Sequence, residues 1–212
     1  MRNSLIAFFL LLFTQITFGE TLKVYKSGVC TTYENPFGEN ITIEGILKSD
    51  SISLSGPVNN TVIKALKEAI RNTTNKTSYI LLIDFTDAVF DDSEKIDLTD
   101  LCDGQSGMKE FRFPKNGLPR TCSLEETFRN CKKLKEIKNL DKIDSISNMS
   151  LAFENCSNLE SIIFSDTKKV LHSSSSSGFS STFSYCRKLK EIKNFDSFII
   201  NQDMWGTFYN CN

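Results

Sequence analysis

The sequence predicts an α/β protein: a solenoid of short parallel strands and short helical turns, preceded by a small α/β N-terminal cap. Two observations predict it. The second half of the chain repeats one pattern at spacings of 25, 30 and 25 residues, and the first half places one amphipathic helical stretch between apolar strand patterns. Hydrophobic residues make up 40% of the 212 residues, as in ordinary folded proteins. We predict a cap region at residues 20–101 and repeats at 102–212, the last of them incomplete.

The first nineteen residues have the layout of a secretory signal peptide. Arg2 gives a basic start, residues 5–13 form an apolar run, and Thr17-Phe18-Gly19 resembles a cleavage site. The run is shorter than the roughly 20 residues that cross a bilayer, although an uncleaved signal anchor is the alternative. We therefore predict a secreted or cell-surface protein, with a bacterial periplasm as the other compartment, and no membrane span after signal removal.

In the first half, residues 22–25 and 41–47 read as strands and residues 79–85 as a buried strand. Between them, Asn60 or Thr61 can cap a helix over about residues 62–71. A strand–helix–strand unit before a repeat array predicts a cap that shields the apolar end of the first repeat.

The repeat is marked by a phenylalanine three residues before each of four cysteines. After the first three of these cysteines, a leucine and then an isoleucine follow at intervals of three. The longest copy contains five consecutive serines, Ser173–Ser177, which fit a loop insertion. One such unit cannot bury its own apolar face, so neighbouring copies must stack. The predicted repeat core consists of Leu124, Phe128, Cys131, Leu134, Ile137, Met149, Phe153, Cys156, Leu159, Ile162, Phe179, Phe183, Cys186, Leu189, Ile192, Met204, Phe208 and Cys211.

Within each unit, Leu-x-x-Ile predicts a short strand, and apolar pairs at i and i+4, such as Met149 and Phe153, predict a helical turn on the return side. The repeated cysteines should stack as free buried thiols. Cys30, Cys102 and Cys122 lie outside that column and are the better candidates for a disulfide, whose pairing stays open.

Residues 148–162 read Asn-Met-Ser-Leu-Ala-Phe-Glu-Asn-Cys-Ser-Asn-Leu-Glu-Ser-Ile. This pattern resembles the BspA-type leucine-rich repeats, and the resemblance covers residues 101–212. It implies a leucine-rich-repeat solenoid that is secreted or displayed by a host-associated bacterium or a parasitic protist, with binding of matrix proteins such as fibronectin or fibrinogen. Asn139 and Asn194 depart from the family pattern, because an apolar strand residue is expected there.

Catalysis has little support. His172 is the single histidine, which excludes sites that need two, and Gly-x-Ser-x-Gly, Walker A and Gly-x-Gly-x-x-Gly motifs are absent. A net charge of −1 gives no general field for nucleic acid. The acidic residues between Asp84 and Asp103 allow a calcium site or a solvated face, and the missing Asp-x-Asp-x-Asp-Gly loop favours the latter. We predict a non-enzymatic protein without cofactor or metal.

The outward strand positions are the predicted partner site, because stacked repeats present the same position about every 4.8 Å. Plain solvation of that face is the alternative. We predict binding of host or extracellular-matrix proteins, and a structural or truncated fragment of a longer repeat array is the second interpretation. The uncapped C-terminal coil, with Trp205 and Tyr209, predicts self-association. The partner-binding candidates are Lys135, Glu136, Lys138, Lys190, Glu191 and Lys193.

Overall fold

The computed structural model describes residues 21–26, 29–34, 50–74, 80–93, 95–167, 169–170, 178–199 and 203–211. In these ranges the chain is a mixed α/β structure with mostly parallel strands and few helices. Helix α1 is Asn60–Thr74, and short 3-10 helices lie at Leu140–Lys142 and Phe195–Ser197. The predicted signal peptide, the strand predicted at residues 41–47, and His172 with the serine loop lie outside the described residues.

The first half builds most of one sheet. Its strands are β1 (Thr21–Lys26), β2 (Val29–Glu34), β3 (Ser51–Val58), β4 (Leu82–Asp84), β5 (Ala88–Phe90) and β6 (Ile96–Asp97). β1 pairs antiparallel with β2 and β3, and the strand predicted at residues 22–25 is confirmed. The buried strand predicted at residues 79–85 is shorter, because only β4 pairs there. Gly56, at φ 82°, lies where β3 passes from pairing with β4 to pairing with β5.

The second half contributes β7 (Glu110–Arg112), β8 (Cys122–Ser123), β9 (Glu136–Lys138), β10 (Ile146–Asn148), β11 (Ser161–Ile163), β12 (Lys169–Val170), β13 (Glu191–Lys193) and β14 (Phe198–Ile199). All their described pairings are parallel. A seven-stranded sheet runs β2-β1-β3-β4-β7-β9 with β5 beside β3. Separate sheets join β6, β8 and β10, then β11 with β13, and β12 with β14. Pairing strands come from successive copies of the sequence repeat.

The return segments are chains of turns, so the helical turns predicted from i, i+4 spacing are wrong. Glu126 and Asn130 have φ of 52° and 63°, and positive φ recurs at the same two positions of the later copies. This backbone directs N–H groups out of the segment: Glu126 donates to the carbonyl of residue 150 at 2.9 Å, and Asn130 donates to that of residue 154 at 2.9 Å. A helix would use these donors internally, whereas here they join one copy to the next.

The phenyl rings of the return segments form one column. Phe128 stacks on Phe153, Phe153 on Phe183, and Phe183 on Phe208, with centroid distances of 5.4, 5.4 and 5.6 Å. Their planes differ by 10°, 2° and 8°, so each ring repeats the orientation of the last. These centroid distances lie within the range found for offset-stacked aromatic pairs. The copies therefore lie on one another in register along this side.

Twelve of the predicted repeat-core side chains are buried, and Ile137, Leu189, Ile192, Met204 and Cys211 are partly buried against them. Phe208 differs, because it is 45% exposed. It is the last ring of the column, where Phe183 stacks on it and Phe195 meets it edge-on at a centroid distance of 5.9 Å. The buried members are Leu124, Phe128, Cys131, Leu134, Met149, Phe153, Cys156, Leu159, Ile162, Phe179, Phe183 and Cys186.

The repeated cysteines form a second column beside the rings. The Cys131 thiol donates to the carbonyl of Cys102 at 3.2 Å, and the Cys156 thiol donates to that of Phe128 at 3.1 Å. Cys102 and Cys122 are free and buried, against the expectation that they are disulfide candidates. Burial raises the pKa of the Cys102, Cys131 and Cys156 thiols well above the ordinary value. The described thiols of this column are therefore neutral hydrogen-bond donors.

Helix α1 lies along the first copy of the repeat. Asn59 caps it in place of Asn60 or Thr61, since its side-chain oxygen accepts from the N–H of Val62 at 3.0 Å. Asn60 instead donates to the carbonyl of Lys95 at 2.8 Å. Near the other end of the helix, Gln105 donates to the carbonyl of Ile70 at 3.2 Å. The predicted apolar face is buried, namely Val62, Ile63, Leu66, Ala69 and Ile70.

Candidate interaction surface

Strands β9 and β13 expose the predicted partner-binding side chains. In each strand the two outer residues are exposed and the central isoleucine is partly buried. Lys135 and Lys190, just before the strands, are exposed as well. The alternation follows from the period of two in a strand. All six candidate side chains are thus accessible to a partner.

The candidates do not form one continuous ladder. β9 pairs with β7 in the seven-stranded sheet, whereas β13 pairs with β11 in a separate sheet, and no described pairing joins β9 to β11. The strand between them, β11, exposes Ser161 and Ile163 instead of charges. The charged face that the sequence predicts is therefore divided into two parts.

The first part, on β4, β7 and β9, is internally compensated. Arg112 pairs with Asp84 at 2.9 Å and with Glu110 at 2.6 Å, and the Lys138 ammonium lies 3.1 Å from Glu110. Burial alone would raise the pKa of Glu110, but hydrogen bonds from Arg112 and Lys138 outweigh it and lower the pKa. The Glu110 hydrogen bond also raises the pKa of Lys138. These charges already satisfy one another before any partner arrives.

The second part, on β11 and β13, contains looser pairs. Lys190 lies 2.9 Å from Glu160, and Lys193 lies 3.8 Å from Glu191. The hydrogen bond from Lys190 lowers the pKa of Glu160. Exposed pairs of this kind contribute little to stability, since solvent screens them. Their charges remain available to a ligand.

Asn139 and Asn194 directly follow β9 and β13, at the positions where the sequence departs from the apolar family pattern. They have φ of 61° and 58°, which asparagine tolerates better than most residues. Asn139 donates to the carbonyl of Phe113 at 2.9 Å, and Asn194 donates to that of Phe164 at 2.8 Å. Each asparagine thus tethers its strand to the preceding copy. In the sequence, the sign of this shared role is that both asparagines stand at the same distance after a repeat cysteine.

A row of exposed basic side chains leads into the strands, beside the predicted partner-binding residues. We call it the basic strip. In the sequence, the basic strip shows as two matching segments, Cys-Lys-Lys-Leu-Lys and Cys-Arg-Lys-Leu-Lys. One acidic side chain, Glu160, lies among these exposed cations. The basic strip consists of Lys109, Lys132, Lys133, Lys135, Arg187, Lys188 and Lys190.

Backbone and side-chain contacts make the basic strip continuous between copies. Lys135 donates its N–H to the carbonyl of Lys109 at 2.9 Å. Asn158 donates to the carbonyl of Lys132 at 2.7 Å and accepts from the Lys188 ammonium at 2.7 Å. Lys132, Lys133 and Arg187 make no ion pair with any described residue. The strip therefore carries an uncompensated positive charge across the division between the two sheets.

The acidic residues between Asp84 and Asp103 are spread along the structure and contact different partners. Asp87 pairs with Lys115 at 2.8 Å, and Asp103 pairs with Arg129 at 2.8 Å. Asp91 accepts from the N–H of Ser93, and this hydrogen bond lowers the pKa of its carboxyl. In the described residues, no group of three or more histidine, cysteine, aspartate or glutamate side chains is arranged to hold a metal ion.

Comparisons with protein-family models, curated proteins and solved structures find no match to the chain. No helix in the described ranges has the length and apolarity needed to cross a membrane. The geometry of the repeat, the strand face and the basic strip is therefore the basis for a functional proposal.

Proposed function

We propose that the chain is an exported, non-enzymatic leucine-rich-repeat protein of the BspA type. It binds an acidic segment of a protein partner in the host extracellular matrix. The repeat pattern of residues 148–162 and the in-register column of Phe128, Phe153, Phe183 and Phe208 support the solenoid. Solenoids of this kind use extended repeat surfaces to bind partners.

The basic strip is the observation that carries the proposed partner chemistry. The charges of the strand face on β4, β7 and β9 are neutralised by their own ion pairs. This face therefore offers a partner a contact surface but little net charge. Lys132, Lys133 and Arg187 supply exposed positive charge that no described ion pair satisfies. An acidic polypeptide that crosses several copies would meet these cations in sequence. Complementary charge of this kind raises association rates and selects the partner.

Binding to immobilised fibronectin and fibrinogen tests the proposal. The variant combines Lys132→Glu, Lys133→Glu and Arg187→Glu, which reverse three unpaired cations of the basic strip. We expect its affinity to fall by about ten-fold or more, since like charges then face the acidic segment. Wild-type binding should also weaken as salt is raised from about 0.05 to 0.5 M, because the Debye length shortens. Surface plasmon resonance measures both effects.

A matched control reverses the same number of charges elsewhere. Lys23, Lys64 and Lys95 are exposed and make no ion pair with described residues, so replacing all three by glutamate gives the same net charge. The control should bind within about two-fold of wild type if local charge decides affinity. Equal losses in both variants, or no binding of the wild type to either matrix protein, would contradict the proposal. Alanine at Lys135, Lys138, Lys190 and Lys193 tests the strand face together with two members of the basic strip, Lys135 and Lys190, and unchanged binding removes the strand face from the site.

A further inference from the structure

A cavity of about 240 Å³ opens on the face of the seven-stranded sheet, where β3 and β4 run side by side. Ser51 and Ser53 of β3 lie opposite Leu82 and Asp84 of β4, and Arg112 of β7 completes the lining. The serine side chains are much shorter than those of the two neighbouring strands, so they leave the space that forms the cavity. None of the described residues that line it belongs to the basic strip.

The cavity walls combine spare hydrogen-bond donors with spare acceptors. The hydroxyl groups of Ser51 and Ser53 have no hydrogen-bond partner among the described residues. Arg112 donates Nη1 to Asp84 at 2.9 Å and Nε to Glu110 at 2.6 Å, and its Nη2 has no partner within the described ranges. Each oxygen of Asp84 accepts one hydrogen bond and keeps a further lone pair. A ligand whose groups both donate and accept would satisfy these walls.

The charges beside the cavity already compensate one another. Arg112 pairs with Asp84 and with Glu110, and the Lys138 ammonium lies 3.1 Å from Glu110. Two cations thus face two carboxylates. An ionic ligand would have to break one of these pairs or lose its hydration without gaining a counter-ion. The cavity therefore favours an uncharged polar ligand.

The size and the apolar wall of the cavity narrow the choice of ligand further. Drug-sized molecules occupy pockets of about 300–1,000 Å³, so this cavity holds a smaller molecule, on the scale of one sugar ring. Leu82 is partly buried and lies on the same face as the two serines. A hexose presents an apolar C–H face and a rim of hydroxyl groups that donate and accept. Its two sides match the apolar wall and the polar walls.

We propose that this cavity binds one neutral hexose ring, either free or at the end of a glycan. The C–H face of the ring packs on Leu82. The hydroxyl groups form hydrogen bonds with the polar walls, namely Ser51, Ser53, Asp84 and Nη2 of Arg112. This site goes beyond the proposed function, because it uses neither the basic strip nor an acidic partner.

Titration of the isotope-labelled protein with glucose, galactose and mannose, each also as its methyl glycoside, tests the proposal. For at least one hexose we expect saturable shifts of the amide signals of Ser53, Asp84 and Arg112. The Kd should be on the order of millimolar, since a ligand of about twelve non-hydrogen atoms gains limited affinity. Salt at about 0.3 M screens the surrounding lysines. Binding of the methyl glycoside identifies a terminal glycan unit, and binding of the free sugar alone identifies a free hexose.

Two variants and a matched control locate the binding. Ser53→Leu should weaken it by about ten-fold or more, because the larger side chain occupies the cavity. Ser55→Leu makes the same change on the same face of β3, outside the cavity lining, and should bind within about two-fold of wild type. Arg112→Lys keeps the charge and removes the guanidinium fork, so it should bind about five-fold more weakly. Amide spectra without sugar verify the fold, and Arg112→Lys carries the test if Ser53→Leu does not fold.

Glucuronate is the charge control, because it adds a carboxylate to the same ring and should bind about ten-fold more weakly than the neutral sugars. The proposal is overturned if no neutral hexose gives saturable shifts, if the folded cavity variants bind like wild type, or if glucuronate binds more tightly.

The variant with Lys132→Glu, Lys133→Glu and Arg187→Glu separates this site from the proposed function. It should bind the hexose as wild type does, because the basic strip contributes no described residue to the cavity. Loss of fibronectin and fibrinogen binding with hexose binding intact would contradict only the proposed function. Absence of hexose binding alone would contradict only the cavity site.

Discussion

Positive backbone φ angles at fixed positions organise the return segments. Glu126, Leu151 and Ser181 occupy the first of these positions, where Gly206 stands in the last copy. A left-handed conformation costs a non-glycine residue about 1–2 kcal/mol. The N–H groups released by this conformation bond to the next copy, which offsets the strain. Repetition of the same strained position is therefore the local cause of stacking.

Gly117 shows where a side chain cannot be accommodated. It has φ of 75°, and a Cβ atom there would lie 2.1 Å from the carbonyl oxygen of Lys142. We expect Gly117→Ala to lower the free energy of unfolding by about 3 kcal/mol, because backbone must move as well as adopt a strained φ. Urea denaturation followed by circular dichroism measures this loss.

Gly206→Ala is the control for that prediction. Its added Cβ would meet only the Ser181 hydroxyl, at 3.1 Å, and equivalent positions carry side chains. We expect a loss of about 1 kcal/mol, which reflects the φ of 64° alone. Similar losses at Gly117 and Gly206 would show that contact with the Lys142 backbone is not the cause.

At the scale of elements, the thiol column couples one copy to the next through polar contacts. The thiols of Cys186 and Cys211 donate to the carbonyls of Phe153 and Phe183, both at 3.0 Å. Burial raises the pKa of Cys186 to about 12, because a thiolate there would lose its hydration. Burial also raises the pKa of Cys211, but by less, because this thiol is only partly buried. The column is stable only while its thiols stay protonated.

This titration makes stability depend on alkaline pH. The folded pKa of Cys186 lies above its unfolded value of 9.0, so its contribution is complete below pH 9 and is lost as pH rises toward 12. Between about pH 8 and 10, we expect wild type to lose about 1.4 kcal/mol more unfolding free energy than Cys186→Ala does. Urea denaturation in reductant at both pH values gives the comparison.

Cys211→Ala provides the reference, since Cys211 is only partly buried. Its difference from wild type between the same pH values should be smaller than that of Cys186→Ala. Parallel pH profiles for wild type and Cys186→Ala would contradict a buried neutral thiol at this position.

At the scale of the whole molecule, the aromatic column joins the copies into one core. Phe111 connects it to the first half, with ring centroids 5.4 Å from Phe85 and 4.9 Å from Phe128. From there the column continues through the later copies to Phe208. Each copy contributes apolar surface that only its neighbours can cover. Stability should therefore depend more on the middle of the column than on its end.

Truncation of two rings tests this dependence. Phe153 is fully buried and stacks on both sides, so we expect Phe153→Ala to lower the free energy of unfolding by about 4 kcal/mol. Phe208 is half exposed and stacks on Phe183, so Phe208→Ala should lose less than about 2 kcal/mol. Chemical denaturation measures both, and an equal loss would show that the column does not share its burial between copies.

The sequence by itself determined the repeat period, the buried apolar positions and helix α1. These depend on local spacing, because a side chain's face follows from the period of its own element. It misjudged the return segments, because i, i+4 spacing also suits turns with positive φ. It assigned no contact to Asn139 and Asn194, because their amide donors find carbonyls only in the preceding copy.

Tertiary structure alone decided the division of the strand face, the free state of Cys102 and Cys122 and the continuity of the basic strip. Each depends on which backbone groups of distant copies meet, and residue spacing within one copy does not encode that meeting. Stacking brings residues about 25 positions apart into hydrogen-bond contact, as for Asn155 and Asn130 at 3.0 Å. The pattern along the chain sets what each copy can bury, and the contacts between copies set what remains exposed for binding.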